Sequence, residues 1–364
     1  MVNGEQLTVQ FHVDDLKASH MDQAVLDKLM RDLNVVFGEQ KPLAETQGTV
    51  HEYLGMTIDY SEKGKVKFTM YDYLEDIVEE APKDMDGSAV TPAANDLFQV
   101  DEECEKLDPE TADLFHRTVA RLLFAAKRSR PDLQTAIAFL CTRVKNPDKN
   151  DYEKLKRVIK YLRETISLPL VLGADDSNTL VWSVDASFAI HMDMKSHTGA
   201  VLTLGQGAIL SFSSKQKINT RSSTEAELVG VNDAMSFVVW VKQFFEAQTS
   251  MLSEHSPIKI LGDRNVIQQD NTSTIQLARN GKRSSTKRTR HIAIQYFYVT
   301  SKVKDGTVVI TYCPTKEMDS DFLTKPLQGS LFRTHHNGIL GLSAGDVLGY
   351  KVDYARAKAA AASP

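Results

Sequence analysis

Short runs of alternating apolar and polar residues dominate the first part of the chain, which is the pattern of antiparallel strands. The segment QLTVQFHVDDLKASH alternates on both sides of Asp14 and Asp15 and predicts a β-hairpin with the two aspartates at its tip. MDQAVLDKLMRDLNVVFG has apolar residues at helical spacing and predicts a helix that ends near Gly38. HEYLGMTIDYSEKGKVKFTM then predicts a second hairpin, with SEKGK as its turn, and YLEDIVEEAP a short helix.

The middle of the chain changes first to a polar, acidic composition and then to helical periodicity. Residues 84–109 contain many acidic residues and predict a linker. Three amphipathic helices follow up to Ile166, and Asp151 is the candidate N-cap of the third. These helices carry many lysine and arginine residues, so a basic face that holds a nucleic-acid duplex by its phosphates is one interpretation, and solvated side chains are the other.

After Ile166 the pattern becomes that of strands mixed with helices. LVWSVDAS, HTGAVLTLG and AILSFSSKQ predict three consecutive antiparallel strands, followed by a long helix that begins at STEAELVGV. NVIQQDN and VVITYCP predict two further strands, with helices around them and a short final helix at MDSDFLTKPL. The remainder beyond Gly329 predicts a loosely ordered tail. The fold class is therefore α/β, in more than one domain.

Composition limits the classes of protein to which the chain can belong. Its 364 residues suit two or three domains. The net charge of -5 does not by itself indicate nucleic-acid binding. No apolar run approaches the roughly 18 residues of a membrane span, and no secretory signal pattern opens the chain. Its three cysteines, which are far apart and lack metal-ligand spacing, predict reduced thiols in an intracellular protein.

Four acidic residues occur where a metal-dependent nuclease would need them. Asp185 lies in the first strand of the second half, Glu227 in the first turns of the long helix, Asp270 after the next strand and Asp321 at the last helix. Carboxylates from different elements can together hold Mg²⁺ ions that promote hydrolysis of a phosphodiester. Any one acidic residue among 48 is more often a solvated surface group, and Asp321 also suits the start of a helix.

Several motifs in the same order resemble one known family. WSVDASF, SFSSKQKINTRSSTEAELVGV, QQDNTSTIQLA, TRHIAIQYFYVTSKVKDG and YCPTKEMDSDFLTKPL resemble the ribonuclease H domain of copia-type LTR retrotransposon polyproteins, over residues 170–327. The resemblance implies a ribonuclease H-like mixed five-stranded sheet with flanking helices. It also implies cleavage of the RNA strand of RNA/DNA hybrids with two Mg²⁺ ions, or Mn²⁺, held by Asp185, Glu227, Asp270 and Asp321.

The second position of this carboxylate set has two candidates. Glu225 and Glu227 lie about 200° apart around a helix, so only one of them can face the site. We favour Glu227 because Leu228 follows it directly, which matches the Glu-Leu pair in related retroviral domains.

The N-terminal third resembles a reverse transcriptase. His12, Val13, Asp14 and Asp15 resemble the Tyr-Val-Asp-Asp hairpin of these polymerases, which implies that Asp14 and Asp15 bind Mg²⁺. An exposed acidic turn is the alternative interpretation. YLGMTIDY resembles the primer-gripping hairpin, and RTVARLLFAAKRSRPDLQTAIAFL the thumb and connecting region. A further palm aspartate and the fingers would precede Met1, so we do not expect this chain alone to polymerise DNA.

Basic residues near the predicted nuclease elements are candidates for nucleic-acid contacts. The loop KRSSTKRTRH contains no acidic residue, and the segment before the long helix is also basic. Solvated loops are the alternative in both places. The candidates are Lys282, Arg283, Lys287, Arg288, Arg290, His291, Lys215 and Arg221.

The sequence thus predicts four segments and one leading function. The segments are the C-terminal part of a polymerase palm at 1–83, a linker with a helical thumb and connection at 84–168, a ribonuclease H-like domain at 169–328 and a tail at 329–364. The leading function is an endoribonuclease acting on RNA/DNA hybrids, and the alternative is a non-catalytic nucleic-acid-binding relic. The resemblance implies a cytoplasmic location, including virus-like particles, and the sequence gives no oligomeric state.

Overall fold

The computed structural model describes residues 2–175, 177–249, 264–281 and 293–343. Within these ranges the strands are β1 (Thr8–His12), β2 (Asp15–Ser19), β3 (Val50–Tyr53), β4 (Met56–Asp59), β5 (Lys65–Thr69), β6 (Leu170–Ala174), β7 (Leu180–Ser187), β8 (His197–Thr203), β9 (Gly205–Gln206), β10 (Leu210–Lys215), β11 (Asn265–Gln269) and β12 (Val309–Tyr312). The α-helices there are α1 (Gln23–Phe37), α2 (Tyr71–Glu79), α3 (Pro109–Ala126), α4 (Gln134–Cys141), α5 (Lys149–Thr165), α6 (Ser223–Thr249), α7 (Thr272–Asn280), α8 (Ala293–Lys304) and α9 (Gly329–Leu340). Short 3-10 helices cover Lys83–Met85, Pro131–Leu133, Thr315–Glu317 and Asp319–Leu323.

The N-terminal hairpin and the helix after it form as the sequence predicts. β1 and β2 pair antiparallel with His12 opposite Asp15, so Val13 and Asp14 make the turn. α1 begins after Asp22, whose side chain accepts from the Ala24 N–H, and ends at Gly38. The hairpin pairs with no other strand in the described part of the chain, and most of its side chains are exposed.

A five-stranded antiparallel sheet joins distant parts of the chain in the order β3-β4-β5-β6-β9. The predicted second hairpin is β4 and β5, with β3 added by a tight turn. β6 pairs with β5, placing Leu170 opposite Phe68. The sheet therefore crosses the boundary that we predicted between residues 168 and 169. Burial of Leu170 and Val171 with Leu340 gives the physical reason for this pairing.

The helical middle region has a shared apolar core with the segment that we predicted as a linker. Leu97 and Phe98 of that segment are buried against α4 and α5, so it does not serve as a free spacer. α5 starts after Asp148 rather than Asp151, which was the predicted N-cap. Asp148 accepts from the Asp151 N–H while the Asp151 carboxylate accepts from the Asp148 N–H, a reciprocal capping box.

The second half of the chain forms a mixed five-stranded sheet in the order β10-β8-β7-β11-β12. β10, β8 and β7 are antiparallel neighbours, whereas β11 runs parallel to both β7 and β12. Trp182, Ile267 and Ile310 of the sheet share a buried core with Val231 and Met235 of α6. The predicted mixed sheet with flanking helices is therefore present.

Two elements near the C-terminus differ from the prediction. The predicted final helix is a 3-10 helix, Asp319–Leu323. The predicted loosely ordered tail begins with α9, which buries Phe332, Ile339 and Leu340. Apolar contacts with α5 and the antiparallel sheet order this helix, and its short, histidine-rich sequence gave a weak helical signal. Residues 344–364 of the predicted tail lie outside the described ranges.

Among the helices that the structure describes, none combines the length and apolar character needed to cross a membrane.

Candidate metal centre and nucleic-acid contacts

Three of the predicted carboxylates meet at one edge of the mixed sheet. Asp185 lies near the end of β7, Asp270 directly follows β11, and Glu227 lies in the first turns of α6. β7 and β11 are parallel neighbours, so their ends reach the same edge of the sheet. One carboxylate oxygen from each residue lies within 4.8 Å of the others. This spacing allows a single cation to contact all three.

Glu227, rather than Glu225, points into this group. Its Oε2 accepts a hydrogen bond of 3.2 Å from the Gln269 side chain at the end of β11. Glu225 instead accepts from the Arg221 backbone N–H at 2.7 Å, in the turn before α6. The different directions of the two glutamates follow from the helical geometry that the sequence analysis used.

Asp321 lies beside Asp185 but outside the group of three. Lys325 Nζ is 2.7 Å from Asp321 Oδ1 and 3.3 Å from Asp185 Oδ2, so its ammonium links the two carboxylates. The Thr324 hydroxyl also donates to Asp185. Lys325, which the sequence did not single out, is therefore a shared partner of the fourth predicted carboxylate and of Asp185.

Burial and mutual repulsion make negative charge costly at this site. Burial, helped by Asp185 and Asp270, raises the pKa of Glu227 to about 10. Burial together with Asp185 raises the pKa of Asp321 to about 6. Although burial disfavours its charged form, the neighbouring Asp185 and Asp321 raise the pKa of Lys325. A cation would relieve this repulsion, and a donor set made only of oxygens suits Mg²⁺ or Mn²⁺.

Hydroxyl and amide groups hold these carboxylates and their backbone in place. The Thr315 hydroxyl donates to Asp270 Oδ2 at 2.7 Å. Ser183 on β7 and Ser320 in the 3-10 helix share a hydrogen bond of 2.8 Å. Thr135 of α4 donates to the Phe322 carbonyl at 2.6 Å, so the helical region directly supports the segment that carries Asp321. Sequence reasoning missed these residues. A single sequence gives no signal for Thr135, whereas Lys325 is recognisable by its spacing of four residues from Asp321.

Asp14 and Asp15 lie elsewhere, on the exposed β1–β2 hairpin. Among the described residues, the carboxylate group with metal-binding geometry does not include either of them. Their proposed role in binding Mg²⁺ stays a prediction from the resemblance.

The predicted nucleic-acid contacts are only partly within the described residues. Lys215 pairs with Asp193 at 2.8 Å, and Arg221 is exposed in the turn before α6. The other candidates lie outside the described residues: Lys282, Arg283, Lys287, Arg288, Arg290 and His291.

Many basic side chains of the helical region are matched by acidic ones. Arg163 pairs with Asp86 at 3.1 Å, and Arg143 contacts both Asp148 and Asp151 at 3.0 Å. These pairs reduce the net positive charge of the basic face that was one interpretation of the sequence.

Comparisons with known proteins identify relatives along most of the chain. No protein-family model matches it. The retrovirus-related Pol polyprotein from transposon TNT 1-94 of Nicotiana tabacum is 28% identical over 88% of this chain. The corresponding polyprotein from transposon RE2 of Arabidopsis thaliana is 32% identical over 56% of it. A putative transposon Ty5-1 protein of Saccharomyces cerevisiae is 27% identical over 62% of this chain and 72% of its own length.

The matched region is a small part of the larger relatives. It spans 23% of the tobacco polyprotein and 13% of the Arabidopsis RE2 polyprotein. Among solved structures, a ribonuclease H1 isolated from compost is 11% identical, with a TM-score of 0.26, over 40% of this chain and 92% of its own.

Proposed function

This chain has retrovirus-related Pol polyproteins of copia-type transposons as its homologues, and we propose that it is an endoribonuclease that cleaves the RNA strand of RNA/DNA hybrids. The observation that carries the proposal is the meeting of Asp185, Glu227 and Asp270 within 4.8 Å. They meet at the edge of a mixed sheet with three antiparallel strands followed by two parallel ones, which supports the ribonuclease H-like sheet that the resemblance implies.

The residues at this edge fit divalent metal ions. Three carboxylates supply oxygen ligands, and burial with the neighbouring Asp185 and Asp270 raises the pKa of Glu227, so a bound cation would relieve the cost of its charge. Asp185, Glu227 and Asp270 would hold the ions, with Asp321 as a further ligand. Bound Mg²⁺ supplies activation of the attacking water and stabilisation of the leaving 3′-oxygen.

The chain's own side chains set the geometry of the carboxylates in advance. Gln269 orients Glu227, Thr315 orients Asp270, and Thr324 orients Asp185, each through a hydrogen bond. A carboxylate held by such a partner loses less freedom when it binds a cation, which favours both affinity and correct placement. Binding a cation through Glu227 also requires this residue to release the proton that its raised pKa favours near neutral pH.

The charge of the site explains why phosphate binding should depend on metal. An acidic cluster repels the phosphodiester backbone, so nucleic acid can approach it closely only when cations are present. A protein distinguishes an RNA/DNA hybrid from other duplexes by groove shape and by the 2′-hydroxyls of one strand. We propose the hybrid as the substrate on this basis and from the resemblance to ribonuclease H domains, with the cytoplasm and virus-like particles as its location.

Substrate selectivity tests this proposal. Purified chain is incubated with end-labelled RNA/DNA hybrid, double-stranded DNA or double-stranded RNA, in Mg²⁺ or in EDTA. We expect cutting of the RNA strand of the hybrid only, and only with Mg²⁺. Equal cutting of all three duplexes, cutting in EDTA, or no cutting by a folded chain would contradict the proposal.

A further inference from the structure

Lys325 occupies an unusual place for a lysine, between two carboxylates of the proposed metal centre. Its Nζ lies 2.7 Å from Asp321 Oδ1 and 3.3 Å from Asp185 Oδ2. These carboxylates come from different elements, the 3-10 helix and β7. Its own position four residues after Asp321, just beyond that 3-10 helix, brings the side chain back over the site.

We propose that Lys325 is a built-in counter-cation, which occupies the acidic site when metal is absent and is displaced from Asp185 when divalent ions bind. The inference rests on the proposed function, because it assumes that the carboxylate group binds metal. It adds a competing cation to that site, because the ammonium leaves Asp185 as the divalent ions bind.

Asp185 is the residue on which the competition depends. It belongs to the group of three carboxylates that can share a cation, and it is also a partner of the Lys325 ammonium. A divalent ion on Asp185 would meet the ammonium as a like charge at short range, where repulsion is strong even beside solvent. Both cations therefore cannot be bound to Asp185 without a penalty, so each weakens the binding of the other.

The lysine side chain is able to leave. It is 39% exposed, whereas Asp185 is 3% exposed, so the ammonium lies on the solvent side of the pair. Four methylene groups allow the charge to move into solvent without a change in the backbone. Nucleic acid would approach from that same side, and a released ammonium there could contact a phosphate. Lys325 would thus exchange a carboxylate partner for a phosphate partner as the site fills.

Metal affinity tests the competition directly. The full chain is titrated with Mn²⁺ by calorimetry as the wild type, Lys325→Met, Lys325→Arg and Lys316→Met. Lys316 is the matched control, because it is an exposed lysine near Asp270 that pairs with no carboxylate in the described structure. We expect Lys325→Met to bind Mn²⁺ about tenfold more tightly than the wild type, while the other two variants stay within about twofold of it.

A second measurement uses the wild type alone and so does not depend on a variant folding. Reductive methylation of lysines is followed by peptide mass spectrometry, in EDTA and in Mg²⁺. We expect labelling of Lys325 to rise severalfold with Mg²⁺, because its ammonium leaves the ion pairs, and labelling of Lys316 to stay constant.

The outcomes separate this inference from the proposed function. If the wild type binds Mn²⁺ but Lys325→Met binds it no more tightly, or if Mg²⁺ leaves the labelling of Lys325 unchanged, the competition is wrong and the metal centre stands. If neither the wild type nor Lys325→Met binds Mn²⁺, the metal centre and the inference both fail.

Discussion

Most carboxylates at the proposed metal centre are buried, which fixes their positions, but they must be charged to bind metal. Burial among β7, β11 and α6 fixes the positions of Asp185 and Glu227, but it also raises the pKa of Glu227 and so penalises the charge of that residue. The metal-free site meets this conflict with a proton that Glu227 favours and with the ammonium of Lys325. Both must give way to a divalent ion, so metal binding and protonation are linked.

Glu227→Gln tests this linkage in the metal-free protein. The folded pKa of Glu227 is raised from 4.5 to about 10, so the folded state holds a proton that the unfolded state releases. Stability from this proton is complete below about pH 4.5 and is lost as the pH rises towards about 10, by at most about 1.4 kcal/mol per unit.

The measurement is urea unfolding in EDTA between about pH 6 and about pH 9. We expect the wild type to lose stability relative to Glu227→Gln as the pH rises, since glutamine cannot ionise. Parallel pH profiles for the two proteins would contradict the assignment of that proton to Glu227.

A second buried charge in the chain serves stability rather than metal binding. Arg130 donates to both oxygens of Asp132 at 2.9 and 2.7 Å, and the Tyr161 hydroxyl donates to the same carboxylate at 2.8 Å. Asp132→Ala would leave the Arg130 guanidinium buried without its partner, so we expect a loss of about 3–5 kcal/mol in the free energy of unfolding. Asp113→Ala removes the exposed partner of Arg117 and should cost less than about 1 kcal/mol. Similar losses in urea unfolding would contradict this account.

Motifs in the sequence identify some residues of the site, whereas other residues are identified only by their contacts in the folded chain. Asp185, Glu227 and Asp270 could be proposed as a set because each occupies a recognisable motif, and helix geometry separated Glu227 from Glu225. The spacing of Lys325 from Asp321 is visible in the sequence, but its contact with Asp185 and the contact of Thr135 with Phe322 join elements far apart in the chain, which local pattern does not predict.

Among the elements, the 3-10 helix Asp319–Leu323 connects the two halves of the molecule. β7 holds it through Ser183 and Ser320, and β10 holds it through Ser213, which donates to the Leu323 carbonyl at 2.8 Å. From the other side, Thr135 of α4 donates to the Phe322 carbonyl. The helical region therefore helps to position Asp321 and Lys325.

Thr135→Val tests this positioning. The substitution keeps the shape of the side chain and removes one buried hydrogen bond, which should cost about 1–2 kcal/mol in stability. We also expect weaker Mn²⁺ binding and slower hybrid cleavage, because the segment with Asp321 loses its support from α4. Thr142→Val is the control from the same helical region, as the Thr142 hydroxyl donates only locally to the Phe139 carbonyl. Equal Mn²⁺ affinity in the wild type and Thr135→Val would assign Thr135 a purely structural role.

The sequence predicted most helices and strands correctly, but it misplaced the start of α5 and did not distinguish a 3-10 helix from an α-helix. Regular periodicity predicted α1, α3, α5 and α6, since long amphipathic patterns leave few alternatives. The start of α5 was misplaced by three residues because Asp148 and Asp151 both suit a cap and only their reciprocal hydrogen bonds distinguish them. The 3-10 helix was predicted as an ordinary short helix, because five residues carry too little periodicity to separate the two.

At the scale of the whole molecule, the antiparallel sheet makes the predicted segments interdependent. β5 from the first segment pairs with β6 from the third, and the second segment packs against both. In contrast, the β1–β2 hairpin pairs with no other strand in the described structure, and Val25 is the residue that α1 buries. Within the described ranges, the segment before β3 therefore has few buried contacts with the rest of the fold.

Two truncations test which N-terminal elements the rest of the fold requires. Removal of residues 1–48 deletes the hairpin and α1, so we expect the remaining chain to keep its unfolding transition and its cleavage rate within about twofold. Removal of residues 1–83 also deletes β5 and the buried side chains of α2, and we expect an unstable or aggregated product. Unfolding of the shorter truncation, or full stability of the longer one, would contradict the conclusion that the fold requires β5 and α2 but not the hairpin and α1.

The sequence predicted the pairing of strands that are near neighbours along the chain, but it did not predict the pairing of distant strands. The succession of strands and helices after Leu170 predicted the mixed sheet, because consecutive strands usually pair with their neighbours. The pairing of β5 with β6 joins residues about a hundred positions apart, and α9 completes the same core. Periodicity identifies strands but not their distant partners, so the predicted division into separate segments missed this sheet.

Cleavage of an RNA/DNA hybrid by Asp270→Asn under single-turnover conditions in Mg²⁺ tests the central claim most directly. Asp270 is half-buried at the edge of the carboxylate group, so its neutral amide should leave the fold intact while removing one charged metal ligand. We predict cleavage about a thousandfold slower than the wild type, with Asp113→Asn unchanged as the control. A folded Asp270→Asn protein that cuts the RNA strand at the wild-type rate would contradict the assignment of this carboxylate group as the catalytic centre.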